Sequence, residues 1–482
     1  EMLRSLVGSE MCIRDRDHAM KSMAMTLLAL ALSGCSLAPT YERPAAPVPA
    51  QYDTPAQTGQ AAPPQDWRAY FNDPALQAWI EAALANNRDL RVAALRIEEA
   101  RALYGVQQSE RLPAIDGSGE FSRGRAVEPD QPRMPVANRY RAAVGITAFE
   151  LDFFGRVKSL SDAALSRYLA SAEAHRAATL ALVAETATAY FNQRSLAEQL
   201  RLTDSTLTLR ETTLKLTRRR FDAGLETAIG LRTAEMLVET SRATRADLIR
   251  EASLARHALG LLAGDFSLAA GIDPAPLESQ SLTPLAAGLP SDLLMRRPDL
   301  RQAENVLRAA NADIGAARAA FFPSVQLTTD IGTTAGSFSD LFSAGTGNWT
   351  FAPRLTLPIF NAGRNRANLS LAETRRHIAV AQYEGSVQAA FRDVADALSA
   401  RDALRDQIEA QRRVRDADRE RQRLAERRYA RGVADYLEML EAQRSLFESE
   451  QQYIRLQQRR LVNAVDLYKA LGGWDDGRDP AS

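Results

Sequence analysis

Four histidines, two cysteines and scattered acidic pairs are all the sequence offers for metal or nucleophilic chemistry. His18, His175, His257 and His377 stand far apart. The last three sit singly in helical stretches, where a histidine is more often a packing or surface residue than a ligand. Two cysteines, Cys12 and Cys35, exclude a disulfide framework and a cysteine-based zinc module. There is no His-Glu-x-x-His, no Gly-x-Ser-x-Gly and no Gly-Lys-Ser/Thr phosphate loop. Gly345-Thr346-Gly347 is a lone glycine pair in a predicted loop, and Asp475-Asp476 lies in a polar tail. No catalytic residue, cofactor or metal site is expected, so the chain does not read as an enzyme. A hydrolase held at the envelope by a lipid would need equipment that is missing.

The one residue placed for covalent chemistry is Cys35. From Met20 the chain reads as a leader, with Lys21 as its positive start and Met23 to Leu32 as a short apolar core. It ends in Leu32-Ser33-Gly34-Cys35, which resembles the lipobox of bacterial lipoproteins, where the thiol receives a diacylglycerol. An ordinary signal peptide with an incidental cysteine would look similar. Lipidation is favoured because Cys35 would be the only cysteine of the mature chain. Ser36, not Asp, follows it, which fits sorting to the outer membrane. Residues 1–19 match nothing downstream and read as a non-native leader, ahead of a signal peptide at 20–34. Residues 35–66 are rich in Pro and Ala and read as a tether.

The chain has 482 residues, with 60 Lys+Arg balancing 60 Asp+Glu. That neutrality removes a global electrostatic case for nucleic acid. No apolar run is long enough for a membrane-spanning helix. The organised sequence is a duplication. Arg220-Phe221-Asp222-Ala223-Gly224 matches Arg428-Tyr429-Ala430-Arg431-Gly432, and Gly155-Arg156 matches Gly363-Arg364. Leu262-Ala263-Gly264 matches Ala470-Leu471-Gly472, and Leu112-Pro113 matches Phe322-Pro323. The halves are residues 67–270 and 285–475. Each predicts a first helix, two strands and a long helical hairpin, at 155–262 and 363–471. Arg156 to Ala223 contains neither Gly nor Pro, so its helix would reach roughly 100 Å. Leu200, Leu207, Leu214 and Phe221 recur at heptad spacing, as do Leu440, Phe447, Ile454, Leu461 and Tyr468, the pattern of coiled-coil seams. Gly224 and Gly432 suit the left-handed residue that ends a helix.

The strand segments, at about 113–122, 140–150, 323–332 and 348–358, alternate apolar and polar residues. Val325, Leu327 and Ile331 face one way; Ser324, Gln326 and Asp330 face the other. A half-buried soluble sheet has the same alternation. Together with the lipobox and the long helices it points to transmembrane strands, apolar toward lipid. The loops 123–139 and 333–347 would then be extracellular. Four strands cannot close a barrel, and open edges cannot face lipid. The barrel must be shared between chains.

At this point the residues resemble the outer membrane efflux lipoproteins, the NodT/OprM-type channels related to TolC. The resemblance covers essentially the whole mature chain. It is carried by Phe71-x-Asp73-Pro74-x-Leu76, Glu150-Leu151-Asp152-x-Phe154-Gly155-Arg156 and Leu289-Pro290-Ser291-Asp292-Leu293-Leu294-x-Arg296-Arg297-Pro298-Asp299. Ala303-Glu304, Phe322-Pro323 and Leu357-Pro358-Ile359-Phe360-x-x-Gly363-Arg364 add to it. The implied fold is an α+β membrane protein. It is a trimer with a 12-stranded β-barrel, four strands per chain, continued by a long α-helical coiled-coil tunnel through the periplasm. The implied function is the passive exit channel of a tripartite efflux system for drugs or other small molecules. The homotrimer sits in the outer membrane, lipid-anchored at Cys35. Its implied partners are a periplasmic adaptor (a membrane fusion protein) and an inner-membrane transporter of the resistance-nodulation-division (RND) class. The competing reading is a lipid-anchored periplasmic coiled-coil scaffold or adaptor without a pore. It leaves four membrane-type strands unexplained.

The resemblance also assigns the tips. Gly224, Leu225, Gly432 and Val433 occupy positions where the family meets its adaptor. The stretch after Asp435 lines the family's periplasmic constriction, which places Leu437, Glu438, Glu441 and Arg444 at a gate. Leu437 and Glu441, four apart, share a helix face. In a threefold assembly Glu441 would form a carboxylate ring, and Leu437 an apolar ring beside it. Such a ring attracts cations and protons. Arg428, Arg431 or Arg444 are expected to pair with acids of neighbouring helices.

Overall fold

The computed structural model describes residues 36–52, 66–125, 136–267, 275–280, 282, 283, 285, 296–434 and 436–473. The first repeat runs α1 (Trp67–Tyr70), α2 (Pro74–Asn86), α3 (Arg88–Ser109), β1 (Ile115–Gly124), β2 (Ala137–Leu151), α4 (Arg156–Asp222) and α5 (Ala228–Ala263). After a short 3-10 turn at Leu277–Ser279, the second repeats the order: α6 (Pro298–Ala319), β3 (Ser324–Ala335), β4 (Gly347–Thr356), α7 (Arg364–Ala430) and α8 (Tyr436–Ala470). The helices α4 and α7 each have 67 residues, about 100 Å of helix. The described residues fall into two compact units, one within Glu1–Pro44, Ile97–Ala170 and Ala303–Tyr383, the other within Ala45–Arg96, Ser171–Gln302 and Glu384–Ser482.

In the first unit the four strands form one antiparallel sheet in the order β1-β2-β3-β4, with β1 and β4 at its edges. Gly117 pairs with Val144, Val144 with Ile331, and Ile331 with Trp349, so outward residues line up across the sheet. The alternation of β2 was expected to run through Ala148. It breaks instead at a bulge between Ile146 and Phe149. Ala148 takes φ 54° there, and its N–H donates to Thr328 Oγ1 at 3.2 Å. The extra residue returns Phe149 and Leu151 to the face of Ile146.

Residues 36–52, expected to be a tether, are packed. The Leu37 carbonyl accepts from Arg318 at 3.4 Å and the Pro39 carbonyl from Asn311 at 2.7 Å. Glu304 accepts Tyr41 Oη at 3.2 Å and Arg43 Nη2 at 2.8 Å. The segment therefore runs antiparallel along α6. Burial pushes the Glu304 carboxyl up. Hydrogen bonds from Arg308 and Arg43 outweigh it and hold the group below the ordinary carboxylate range. Further along, in the second unit, Tyr52 stacks on Phe391 at 4.9 Å.

The core of the second unit joins α1 and α2 to the long helices. Tyr70, Phe71, Leu76, Ile80, Tyr190, Phe191, Leu259, Leu461 and Tyr468 are buried together. The motif around Asp73 has a physical role here. Asp73 caps α2, accepting Ala75 N at 2.9 Å, and Pro74 takes the first helical position. Its other oxygen accepts Tyr190 Oη at 2.8 Å and Arg194 Nη1 at 3.0 Å.

The duplication is visible in the packing. Asn87, before α3, donates to the Leu262 carbonyl at 3.0 Å, while Arg297, before α6, donates to the Ala470 carbonyl at 3.2 Å. The glycines that end α5 and α8, Gly264 and Gly472, have φ 65° and 91°. A Cβ on Gly264 would lie 2.6 Å from the Asn86 carbonyl oxygen, and one on Gly472 3.1 Å from that of Arg296. Both repeats thus bring the end of their last helix against the start of their first.

Candidate functional site

Each long helix ends in the same capped turn. Leu225 N donates to the Arg220 carbonyl at 2.8 Å and Val433 N to the Arg428 carbonyl at 3.0 Å. Gly224 and Gly432 both have φ 72°, which completes a Schellman cap at each tip. The caps leave Leu225 and Val433 each 69% exposed. Behind Leu225, Ala228, Ile229, Arg232, Thr233 and Met236 line an open groove of about 370 Å³.

The two tips share a core. Ala234, Leu237, Ala425, Tyr429, Tyr436, Met439, Leu440 and Ala442 pack together, with Leu214 against them. This packing orients α8. With Met439, Leu440 and Ala442 turned inward, Leu437 is left 48% exposed. Glu441 and Arg444 are similarly open, with side chains 58% and 55% exposed. Leu437, Glu441 and Arg444 therefore lie along one exposed stripe. Asp435 lies outside the described residues. The expected pairing with an acid of a neighbouring helix is met by Arg428 and not by Arg444. Arg444 bonds Glu441 of its own helix at 2.9 Å, and Arg428 bonds Glu438 across its own hairpin at 2.9 Å. Short i,i+3 reach favours the first pair over any acid on another helix. Arg431 has no ion-pair partner among the described residues.

The sheet has two chemically distinct faces. One carries exposed Ile115, Phe121, Val144, Ile331, Trp349, Phe351 and Leu355. Isolated exposed apolar residues are ordinary, but a continuous face of them marks a lipid or protein contact. The other face carries Glu120, Arg141, Asp330 and Arg354, with Arg141 and Asp330 paired at 2.5 Å. No helix among the described residues is long and apolar enough to cross a membrane, which says nothing about a β-barrel.

Cys35 lies outside the described residues. Among those described, no cluster of His, Cys, Asp and Glu could hold a metal ion. His175 is part-buried, and its pKa is lowered by that burial and by neighbouring Arg176. Sequence reasoning quoted Asp73, Glu304 and Asp299 only as motif letters. Their work is structural: Asp299 and Asp393 hold Arg297, with Asp299 at 2.6 Å. For Asp73 and Asp299 a signal existed, since each stands beside the proline that opens its helix; Glu304 lies inside α6 and carried none.

Taken together, these features define a duplicated, helix-dominated protein that presents a two-faced sheet at its strands and exposed apolar residues at its hairpin tips. A model of the outer membrane efflux protein family matches residues 79–265 and again 289–473. The chain belongs to that family. It is 46% identical to the outer membrane protein OprJ of Pseudomonas aeruginosa over 94% of this chain and 96% of OprJ. It is 42% identical to the cation efflux system protein CusC of Escherichia coli over 92% of this chain and 97% of CusC. Among solved structures it is similar to a Pseudomonas aeruginosa membrane protein, with TM-score 0.86 and 46% identity, covering 92% of this chain and 99% of that one. It is also similar to the open state of the Neisseria gonorrhoeae MtrE outer membrane channel, with TM-score 0.85 and 39% identity, covering 91% of this chain and 98% of that one.

Proposed function

We infer that this chain is one subunit of a homotrimeric outer-membrane exit channel. It passes small molecules delivered by a periplasmic adaptor and an RND-type inner-membrane transporter. The observation that carries this reading is the four-stranded sheet with one exposed apolar face, one charged face and two unpaired edges. Such edges have no hydrogen-bonding solvent within a bilayer, so copies must join into a closed barrel. Three copies supply twelve strands, an even number within the range of known barrels. The charged face then lines water. Transport energy comes from the partner pump, and the channel needs no catalytic group. The purified protein is expected to give discrete ion-conducting steps in planar bilayers. A protein that inserts in liposomes yet conducts nothing contradicts the channel.

The lipid anchor at Cys35 fits the seating of its neighbours. Leu37, two residues on, is held by Arg318, close before β3 begins at Ser324. A lipid on Cys35 would thus start beside the sheet. Wild-type protein is expected to incorporate labelled palmitate and Cys35→Ala to incorporate none. An unlabelled wild type excludes the anchor.

The tips dock the adaptor through Leu225 and Val433, with Gly224 and Gly432 shaping the turns. Replacing Leu225 or Val433 by Glu should reduce adaptor cross-linking and leave oligomer yield unchanged. Undiminished cross-linking would place the docking surface elsewhere.

A further inference from the structure

The two open edges of the sheet carry opposite charge on the same face. On β1 this face presents Asp116 and Glu120; on β4 it presents Arg354. Within the chain these residues cannot meet, because two strands separate them. Among the described residues none of the three has an ion-pair partner.

The register limits how a second copy can join. Pairing runs level across the sheet from Ile115 through Ile146 and Thr329 to Phe351. Joining the edges at that level would oppose only Gly347–Phe351 with Ile115–Gly119, leaving the rest of both strands bare. Sliding the next copy along keeps more backbone paired. An odd slide would set lipid-facing residues opposite lumen-facing ones, which the alternation forbids. A slide of four residues opposes Gly347–Leu355 with Ile115–Arg123; a slide of six opposes Asn348–Thr356 with Asp116–Gly124. Both keep the strands paired over almost their whole length. In the first, Arg354 lies directly across from Asp116. In the second it lies across from Ser118, diagonal to Asp116 and Glu120. Opposite Cβ atoms are about 5 Å apart and diagonal positions about 7–8 Å, within reach of an arginine. On the outer face a slide of four sets Pro353 and Phe351 opposite Gly117 and Gly119, and a slide of six sets Leu355 and Pro353 there; a side chain at either glycine would meet nothing within 4 Å in the single chain.

We propose that Arg354 of each copy pairs with Asp116 of the next, so that three ion pairs in the lumen mark the three seams of the barrel. The proposal rests on the trimeric reading above. Asp116→Arg and Arg354→Asp should each lower the temperature at which the detergent-solubilised trimer dissociates. The exchange Asp116→Arg with Arg354→Asp should restore it. Should a charge variant fail to fold, cysteine pairs carry the test in an otherwise wild-type chain. Arg354→Cys with either Asp116→Cys or Ser118→Cys should cross-link copies under oxidation, and the pair that reacts faster reports the slide. A monomeric wild type overturns the trimer and the seam together. A trimer that neither loses stability in the single variants nor cross-links through either pair overturns the seam alone.

Discussion

Replacing Leu437 and Glu441 together by alanine is expected to raise single-channel conductance several-fold and to weaken block by multivalent cations from the periplasmic side. Both residues lie on the face of α8 turned away from the core shared by the tips. In a trimer that face repeats three times around an axis, and rings of charged or apolar side chains control passage through a constriction. The structure adds a correction to the simple acidic ring. Each Glu441 carboxylate is paired with Arg444 at 2.9 Å, which offsets much of its charge. Arg444→Ala should therefore strengthen cation block while changing the open conductance little. Both are read from current traces in planar bilayers. Unchanged conductance and block in the double variant would remove the gate from this stripe and leave the channel itself standing.

Asp73→Ala is expected to be the most destabilising single substitution in the second unit. Its carboxylate pairs with Arg194, and the two side chains are only 4% and 1% exposed. Removing one partner of a buried pair leaves the other charge uncompensated, at about 3–5 kcal/mol. The same change uncaps α2, which adds about 1 kcal/mol. Thermal unfolding of the solubilised protein measures the sum. Asp73→Asn keeps an acceptor for Ala75 N and should recover the cap but not the charge. Adding Arg194→Met to Asp73→Ala should also lessen the loss, because the stranded cation is gone. If the single and double variants melt alike, the pair is not what makes Asp73 matter.

The turns at the hairpin tips were legible in the sequence. The tip glycines announced themselves by repeating in both halves, and their φ values show why the chain needs glycine there. The strands were legible by their alternation, except at Ala148. A bulge depends on the partner strand, and no periodicity within β2 signals it. The partner of Arg444 was misread for a related reason, whereas Arg428 does meet an acid of the neighbouring helix. Charges dense along a helix find acids one turn away or across the hairpin, and sequence spacing alone ranks those no higher than distant ones.

By itself the sequence determined the duplication, the lengths of the long helices and the two-faced character of the strands. These depend on local rules: glycine and proline placement, heptad spacing and a period of two. Only the tertiary structure decided what the isolated polar letters do. It set Asp73 against Arg194, Glu304 against Arg43, and Asp116 and Arg354 on the same face at opposite edges of one sheet. Those partners are brought together by packing and strand register across long stretches of chain. That is information no window along the sequence contains.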